Sequence, residues 1–312
     1  MPVIQTLHYL FRLTSDMKRI LSLTTIALFV AMGLTSTSVS AQSADKVKVF
    51  MQPASYVGSS VQYGNNPSAG HYAQADDAKI YYEVYGEGSP IIVLHGGGVG
   101  CTYEMGQFID SLSQTNKVIA ISTRGHGRSE IGTKPVSVEQ RANDIYSVIQ
   151  DCVPGHKVKA IGFSDGGYSA YFLAYLHPEV VDRIITIGAG EALPLTRKFI
   201  KFKIEDMAAL DPDFMKLQMA ICPEPEKKQA YWDNFYDFYN TVTVSKEILN
   251  NIKCPVLVMA GELDPNAPLA TVIAAYYMLP NSQLGIIPNA GHGAFIDNFQ
   301  AVWDCVVPFM AD

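Results

Sequence analysis

Residues 160–170 read AIGFSDGGYSA: an apolar run ends in a glycine, and Ser164 stands between Phe163 and Asp165, with Gly162 and Gly166 on either side. A serine hydroxyl scarcely ionises at neutral pH, so it acts as a nucleophile only with help from elsewhere in the chain. The strand-like KVKAI precedes the stretch and the helix-like YSAYFLAYL follows it. Gly162, Ser164 and Gly166 therefore fit G-x-S-x-G on a sharp strand-to-helix turn, whose glycines leave room for the bend and for close approach of a substrate. The N-terminus of the following helix would help to hold developing negative charge.

Working outward, short apolar runs alternate with helical patterns from about residue 78 onward. KIYYEVYG, PIIVLHGGG, KVIAISTRGHGRS, VDRIITIGAG, CPVLVMAGELD and SQLGIIPNAGHG read as strands, many running into glycine-bearing loops. Continuous Val/Ile/Leu runs rather than strict alternation mark strands covered on both faces. Amphipathic stretches such as SVEQRANDIYSVIQDCV, PLATVIAAYYML and FQAVWDCVVPFM lie between them. This alternation predicts βαβ units and an open, mostly parallel, doubly wound sheet of about eight strands. Residues 42–77 are polar and predict an irregular lead-in. Residues 191–250 break the rhythm with several helical patterns and no convincing strand, which predicts a helical insertion beyond the carboxyl ends of the strands, where open α/β sheets bind ligands.

The hydroxyl of Ser164 needs a base. Of the seven histidines, His292 in PNAGHGAF follows a late strand in a glycine-bounded loop. An imidazole in turn needs a carboxylate to fix its tautomer. Asp264, in VMAGELDPNAP, ends the strand between the two, with Glu262 as the runner-up. The order Ser164, Asp264, His292 suits acyl transfer on a parallel sheet, because each residue ends a separate strand and all reach one edge. His95-Gly96-Gly97-Gly98 follows another strand and offers backbone amides for an oxyanion: that of Gly97 together with that of Asp165, with Gly98 as the substitute. Nucleotide binding by this loop fails in detail, since the sixth position from Gly96 is Cys101 and no Walker lysine follows.

The motifs HGGG, RGHGRS at 124–129, GFSDGG, GELD and NAGHG resemble, in order and spacing, those of the α/β-hydrolase superfamily, from about residue 78 to the end. GFSDGG with LHPEVVDRIITIGA resembles more narrowly the small serine esterases of the biphenyl-hydrolase-like, valacyclovir-hydrolase type. The resemblance implies a core domain in two parts, 42–190 and 251–312, with 191–250 as a helical cap. It implies no cofactor and no metal. Ser164 at the elbow disfavours relatives with an aspartate nucleophile. Candidates for the pocket wall are His95 and Cys101 beside the glycine loop, and Trp232 and Phe235 in YWDNFYDFYN; bracing the loop or packing the core is the alternative for each. Asp165 is expected to lend its amide while its carboxylate bonds locally, and Arg124 and His126 to hold their own loop.

Composition sets the remaining bounds. A hydrophobic content of 48% with 17% charged residues describes a globular chain with a sizeable core. The net charge of −7, with cations scattered, gives no footprint for nucleic acid. From Met17, MKRILSLTTIALFVAMGLTSTSVSAQ has the cations, short apolar run and small residues of a secretory signal peptide, with cleavage expected after Ala41 and residues 1–16 as an unused upstream start. The run is short for a membrane span, so no stable insertion is expected after cleavage. Residues 1–41 carry three cations and one anion, and their removal takes the charge from −7 to −9. The expected product is exported, periplasmic or secreted. Its five cysteines match no metal spacing. The expected function is hydrolysis of a small to medium ester, with amides, thioesters and lactones as further substrates. The rivals are a receptor-like ligand binder of the same fold and a carbon–carbon bond hydrolase.

Overall fold

Runs of β-branched and aliphatic residues build the sheet. The computed structural model describes residues 46–53, 56, 58–194 and 198–311. Its strands are β1 (Gly70–Ala75), β2 (Ala78–Tyr85), β3 (Ser89–Leu94), β4 (Asn116–Ile121), β5 (Val158–Phe163), β6 (Val181–Ile187), β7 (Val256–Gly261) and β8 (Ser282–Ile287). They lie side by side in the order β1-β2-β4-β3-β5-β6-β7-β8. β2 runs antiparallel to both its neighbours, and the pairings from β4 through β8 are parallel. The last four residues of β3, β4, β5 and β6 are all buried, as is the whole of β7. That burial explains why these strands read as unbroken apolar runs.

The lead-in is not irregular throughout, as residues 42–77 were expected to be: β1 pairs with β2 from Gly70↔Glu83 to Ala75↔Ala78 across the two-residue turn Asp76-Asp77. Only Ala73 and Ala75 of β1 are buried. Two alanines are too weak an alternation to read as a strand. The leader expected over residues 1–41 lies outside the described residues. Among the described residues no helix is long and apolar enough to cross a membrane.

Helices cover both faces: α1 (Gly106–Leu112), α2 (Val138–Cys152), α3 (Asp165–Leu176), and, after β7, α8 (Leu269–Met278), α9 (Ala294–Asp297) and α10 (Phe299–Ala311). α2 begins at Ser137, whose hydroxyl accepts the amide of Gln140 at 3.0 Å and so satisfies one of the helix's unpaired donors. α3 is buried from Asp165 to Ala174, which suits its nearly all-round apolar sequence. Between β6 and β7 run α4 (Ile204–Leu210), α5 (Pro212–Ile221), α6 (Lys228–Thr241) and α7 (Lys246–Leu249). Ala192 and Val244 exchange backbone hydrogen bonds of 2.9 and 2.7 Å, pinning the entry of this helical segment to its exit. β3 is the switch point of the sheet: its successor β4 lies on one side and β5 on the other, which opens a crevice at the carboxyl ends.

Candidate active site

Ser164 stands between the end of β5 and the start of α3 with φ 51° and ψ −112°. A side-chain-bearing residue holds such a backbone only where its surroundings impose it. Here its amide donates to the carbonyl of Ile187 at 2.7 Å, and its carbonyl accepts the amides of Gly167 and Tyr168. Crowding dictates both flanking glycines. A Cβ on Gly162 would lie 2.2 Å from the carbonyl oxygen of Gly166, and one on Gly166 would lie 2.7 Å from Leu94 Cβ and from the carbonyl oxygen of His95.

The loops after β7 and β8 bring Asp264 and His292 to this serine. His292 Nε2 is 2.9 Å from Ser164 Oγ, and Nδ1 is 2.8 and 2.9 Å from the two carboxylate oxygens of Asp264. Nδ1–H donating to Asp264 leaves Nε2 as the acceptor for the serine hydroxyl. Asp264 is itself held: its Oδ1 accepts the amides of Asn266 and Ala267 at 2.8 and 2.9 Å, and its side chain is fully buried. Glu262 is exposed and turns away, accepting the amide of Asn289 at 3.1 Å.

The glycine loop after β3 is clamped at the peptide of Gly96. His95 Nδ1 donates to the carbonyl of Gly96 at 2.6 Å, and its Nε2 accepts the amide of Thr123 at 3.0 Å. Burial holds this imidazole down at about 4, so it is neutral. From the other side, the carboxyl of Glu104 accepts the amide of Gly96 at 2.6 Å. A Cβ on Gly97 would lie 3.0 Å from the Cβ of Asp165, so the two residues abut. The amides of Gly97, Gly98 and Asp165 have no acceptor among the described residues. As the first residue of α3, Asp165 carries one of the donors that a helix cannot satisfy internally.

The carboxylate of Asp165 does not bond locally as expected; it reaches across elements. Oδ2 lies 2.9 Å from Nε of Arg141 on α2, an ion pair without hydrogen-bond alignment, and Oδ1 accepts the phenol of Tyr239 on α6. Arg141 donates in turn to Tyr231, which donates to the carbonyl of Arg124. Arg124 pairs bidentately with Asp144 at 2.8 Å and also with Asp77 at 2.7 Å, holding its loop in place. His126 shares a hydrogen bond of 3.1 Å with Thr123 there and is not among the residues that line the cavity over Ser164.

A cavity of about 240 Å³ opens over Ser164 and His292. It is lined by the loop Gly96–Gly100 with Phe163 and Asp165, and by Phe199, Phe235, Tyr236 and Tyr239 from the segment between β6 and β7. Phe235 is thus where the sequence placed it, and His95, Cys101 and Trp232 are not. His95 is used up bracing the loop. Cys101 is buried and donates its thiol to the carbonyl of Lys48 at 3.6 Å. Trp232 shares the apolar stripe of α6 but lies one turn, roughly 5.4 Å, before Tyr236 and is buried beyond the cavity. Glu104, Asn266, Tyr236 and Tyr239 line the cavity without having been singled out, although the last two belong to the aromatic run already noted. All five cysteines are free.

A family profile described as alpha/beta hydrolase fold matches residues 89–229. The chain is 23% identical over 269 residues to a 2-hydroxy-6-oxo-6-(2'-aminophenyl)hexa-2,4-dienoic acid hydrolase of Metapseudomonas resinovorans, covering 77% of this chain and 90% of the relative. It is 22% identical over 250 residues to a pimeloyl-[acyl-carrier protein] methyl ester esterase of Vibrio campbellii, covering 71% of this chain and 94% of the relative. Among solved structures, a meta-cleavage product hydrolase from Pseudomonas fluorescens IP01 superposes with a TM-score of 0.67 at 21% identity, over 79% of this chain and 99% of that one. The parallel sheet, the strained serine on its central turn and these likenesses agree: the chain has the α/β-hydrolase fold.

Proposed function

We propose that this hydrolase cleaves small to medium carboxylic esters by two-step acyl transfer at Ser164. The unbroken contact chain Asp264–His292–Ser164 carries the reading. Ser164 Oγ attacks the carbonyl carbon as its proton passes to His292 Nε2, and Asp264 stabilises the imidazolium that forms. The oxyanion is held by the amides of Gly97 and Asp165. His292 returns the proton to the departing alkoxide, the C–O bond breaks, and water repeats the sequence to release the acid. The leader-like sequence over residues 1–41 supports an exported enzyme.

A second reading, hydrolysis of a carbon–carbon bond, is favoured by the relatives named above. A dienoic acid is an anion at neutral pH, however, and no lysine or arginine lines the cavity among the described residues. A neutral or cationic substrate suits such a wall better. The test is labelling by a fluorophosphonate followed by rates on aryl esters beside a vinylogous diketone. Rapid labelling that is lost in Ser164→Ala, with ester turnover, supports the proposal. Diketone turnover without ester turnover moves the chain to the second reading, and a folded protein that takes no label is a ligand binder.

A further inference from the structure

Glu104 is a carboxyl group in the catalytic cavity that acyl transfer does not use. It belongs to the short 3₁₀ turn Thr102–Met105 behind the glycine loop, is only 8% exposed, and lines the cavity together with Ser164 and His292. Its hydrogen bond from the amide of Gly96 leaves the charge of a carboxylate uncompensated. No cationic side chain pairs with it among the described residues, whereas Asp165, the other carboxyl at this cavity, is paired with Arg141. The titratable groups that face it closely are the phenol of Tyr56 and the thiol of Cys101. His292, the paired Asp165, and the phenols of Tyr236 and Tyr239 line the same cavity. Burial pushes the Glu104 carboxyl up to about 8 against the opposing amides of Gly96 and Cys101. Ionising a buried carboxyl of this kind is costly unless something brings it a counter-charge.

The same cavity is lined by Phe199, Phe235, Tyr236 and Tyr239. Aromatic faces attract a cation through their quadrupole, most of all where water is excluded. An unpaired carboxyl that shares a cavity with aromatic rings offers a site for an alkylated ammonium. We infer that the cavity selects substrates bearing a cationic ammonium group near the scissile carbonyl, with Glu104 as its counter-charge. This rests on the hydrolase reading above and names the substrate class for the same site. Binding a fixed cation requires Glu104 to release its proton to solvent. The preference therefore strengthens by up to about tenfold per pH unit toward pH 8 and levels off above it.

Two isosteric pairs test the inference, each differing only in charge. One is the acetate ester of 2-(trimethylammonio)ethanol beside 3,3-dimethylbutyl acetate; the other is phenyl 4-(trimethylammonio)butanoate beside phenyl 5,5-dimethylhexanoate. In at least one pair the cationic member should show a kcat/KM tenfold or more above its neutral partner at pH 8.5. That ratio should shrink toward one at pH 6 and collapse at every pH in Glu104→Gln. The ratio cancels any general effect of the substitution, and the pH dependence of the unsubstituted protein tests the inference even if the variant does not fold. Ratios near one in both pairs, or a ratio indifferent to Glu104→Gln, overturn it and leave the hydrolase reading intact. If Ser164 takes a fluorophosphonate but turns over neither pair, benzyltrimethylammonium should slow the labelling at pH 8.5 more than at pH 6; no slowing overturns the inference. No labelling at all overturns both.

Discussion

Tyr239 of α6 donates its phenol proton to Asp165, the residue that follows Ser164 in the chain. The helical segment between β6 and β7 is thereby tied to the same peptide whose amide faces the cavity. Arg141, 3% exposed, supplies the opposing charge from α2. Replacing Arg141 by Met strands a buried carboxylate, and breaking such a pair costs roughly 3–5 kcal/mol. Tyr239→Phe removes one neutral donor and should cost about 1–3 kcal/mol. Urea denaturation of the two variants should rank them in that order. Equal losses would mean that the ion pair, which lacks hydrogen-bond alignment, contributes little.

Asp264 and Glu262 are two positions apart, yet one is buried against His292 and the other exposed. Asp264→Asn should lower kcat by several orders of magnitude, because the imidazole loses the partner that fixes its tautomer. Glu262→Gln should leave kcat within about twofold, as surface substitutions away from special features change little. Steady-state ester hydrolysis separates them, and a reversal would exchange their roles.

How far the sequence could be read follows from the range of each interaction. The elbow was legible because Gly162 and Gly166 answer to backbone crowding within a few residues. The triad was legible because each member follows the carboxyl end of a strand, and a parallel sheet brings those ends to one edge. β1 escaped because pairing with β2, not its own alternation, makes it a strand. Asp165 was misjudged because Arg141 and Tyr239 come from elements 24 residues before it and 74 after it. Trp232 was placed one turn too close, because helical spacing gives the face of α6 but not its position along the cavity. Glu104 carried no motif at all; its meaning lies in burial without a counter-charge.

The pH dependence of stability follows from two buried groups of opposite sign. His95 is held down at about 4 by burial, below its ordinary 6.5, so the unfolded chain binds the extra proton and stability falls as pH drops through that window. Glu104 is pushed up to about 8 from 4.5, so the folded chain holds the extra proton. Its contribution is full below 4.5 and is lost as pH rises through 8. The unfolding free energy of the unsubstituted protein minus that of Glu104→Gln should therefore shrink between pH 5 and pH 8, by up to about 1.4 kcal/mol per pH unit. Denaturation curves at several pH values give the slope. A difference that does not vary with pH would mean that Glu104 titrates alike in both states.

Gly97 is the residue on which the oxyanion reading can be tested most directly. A Cβ there would lie 2.3 Å from Cζ of Phe235 and 3.0 Å from Cβ of Asp165. Asp165 cannot give way without moving the elbow, but the end of the Phe235 ring can be removed. Gly97→Ala should lower kcat far more than it raises KM, because a displaced donor is felt where charge develops, at a cost of about 3–4 kcal/mol for a donor wholly lost. Phe235→Leu in the same chain should restore part of kcat by clearing the nearer obstruction, leaving the milder contact with Asp165. Steady-state constants for the two single variants and the double variant close the cycle. Additive losses would show that the ring of Phe235 does not confine this loop.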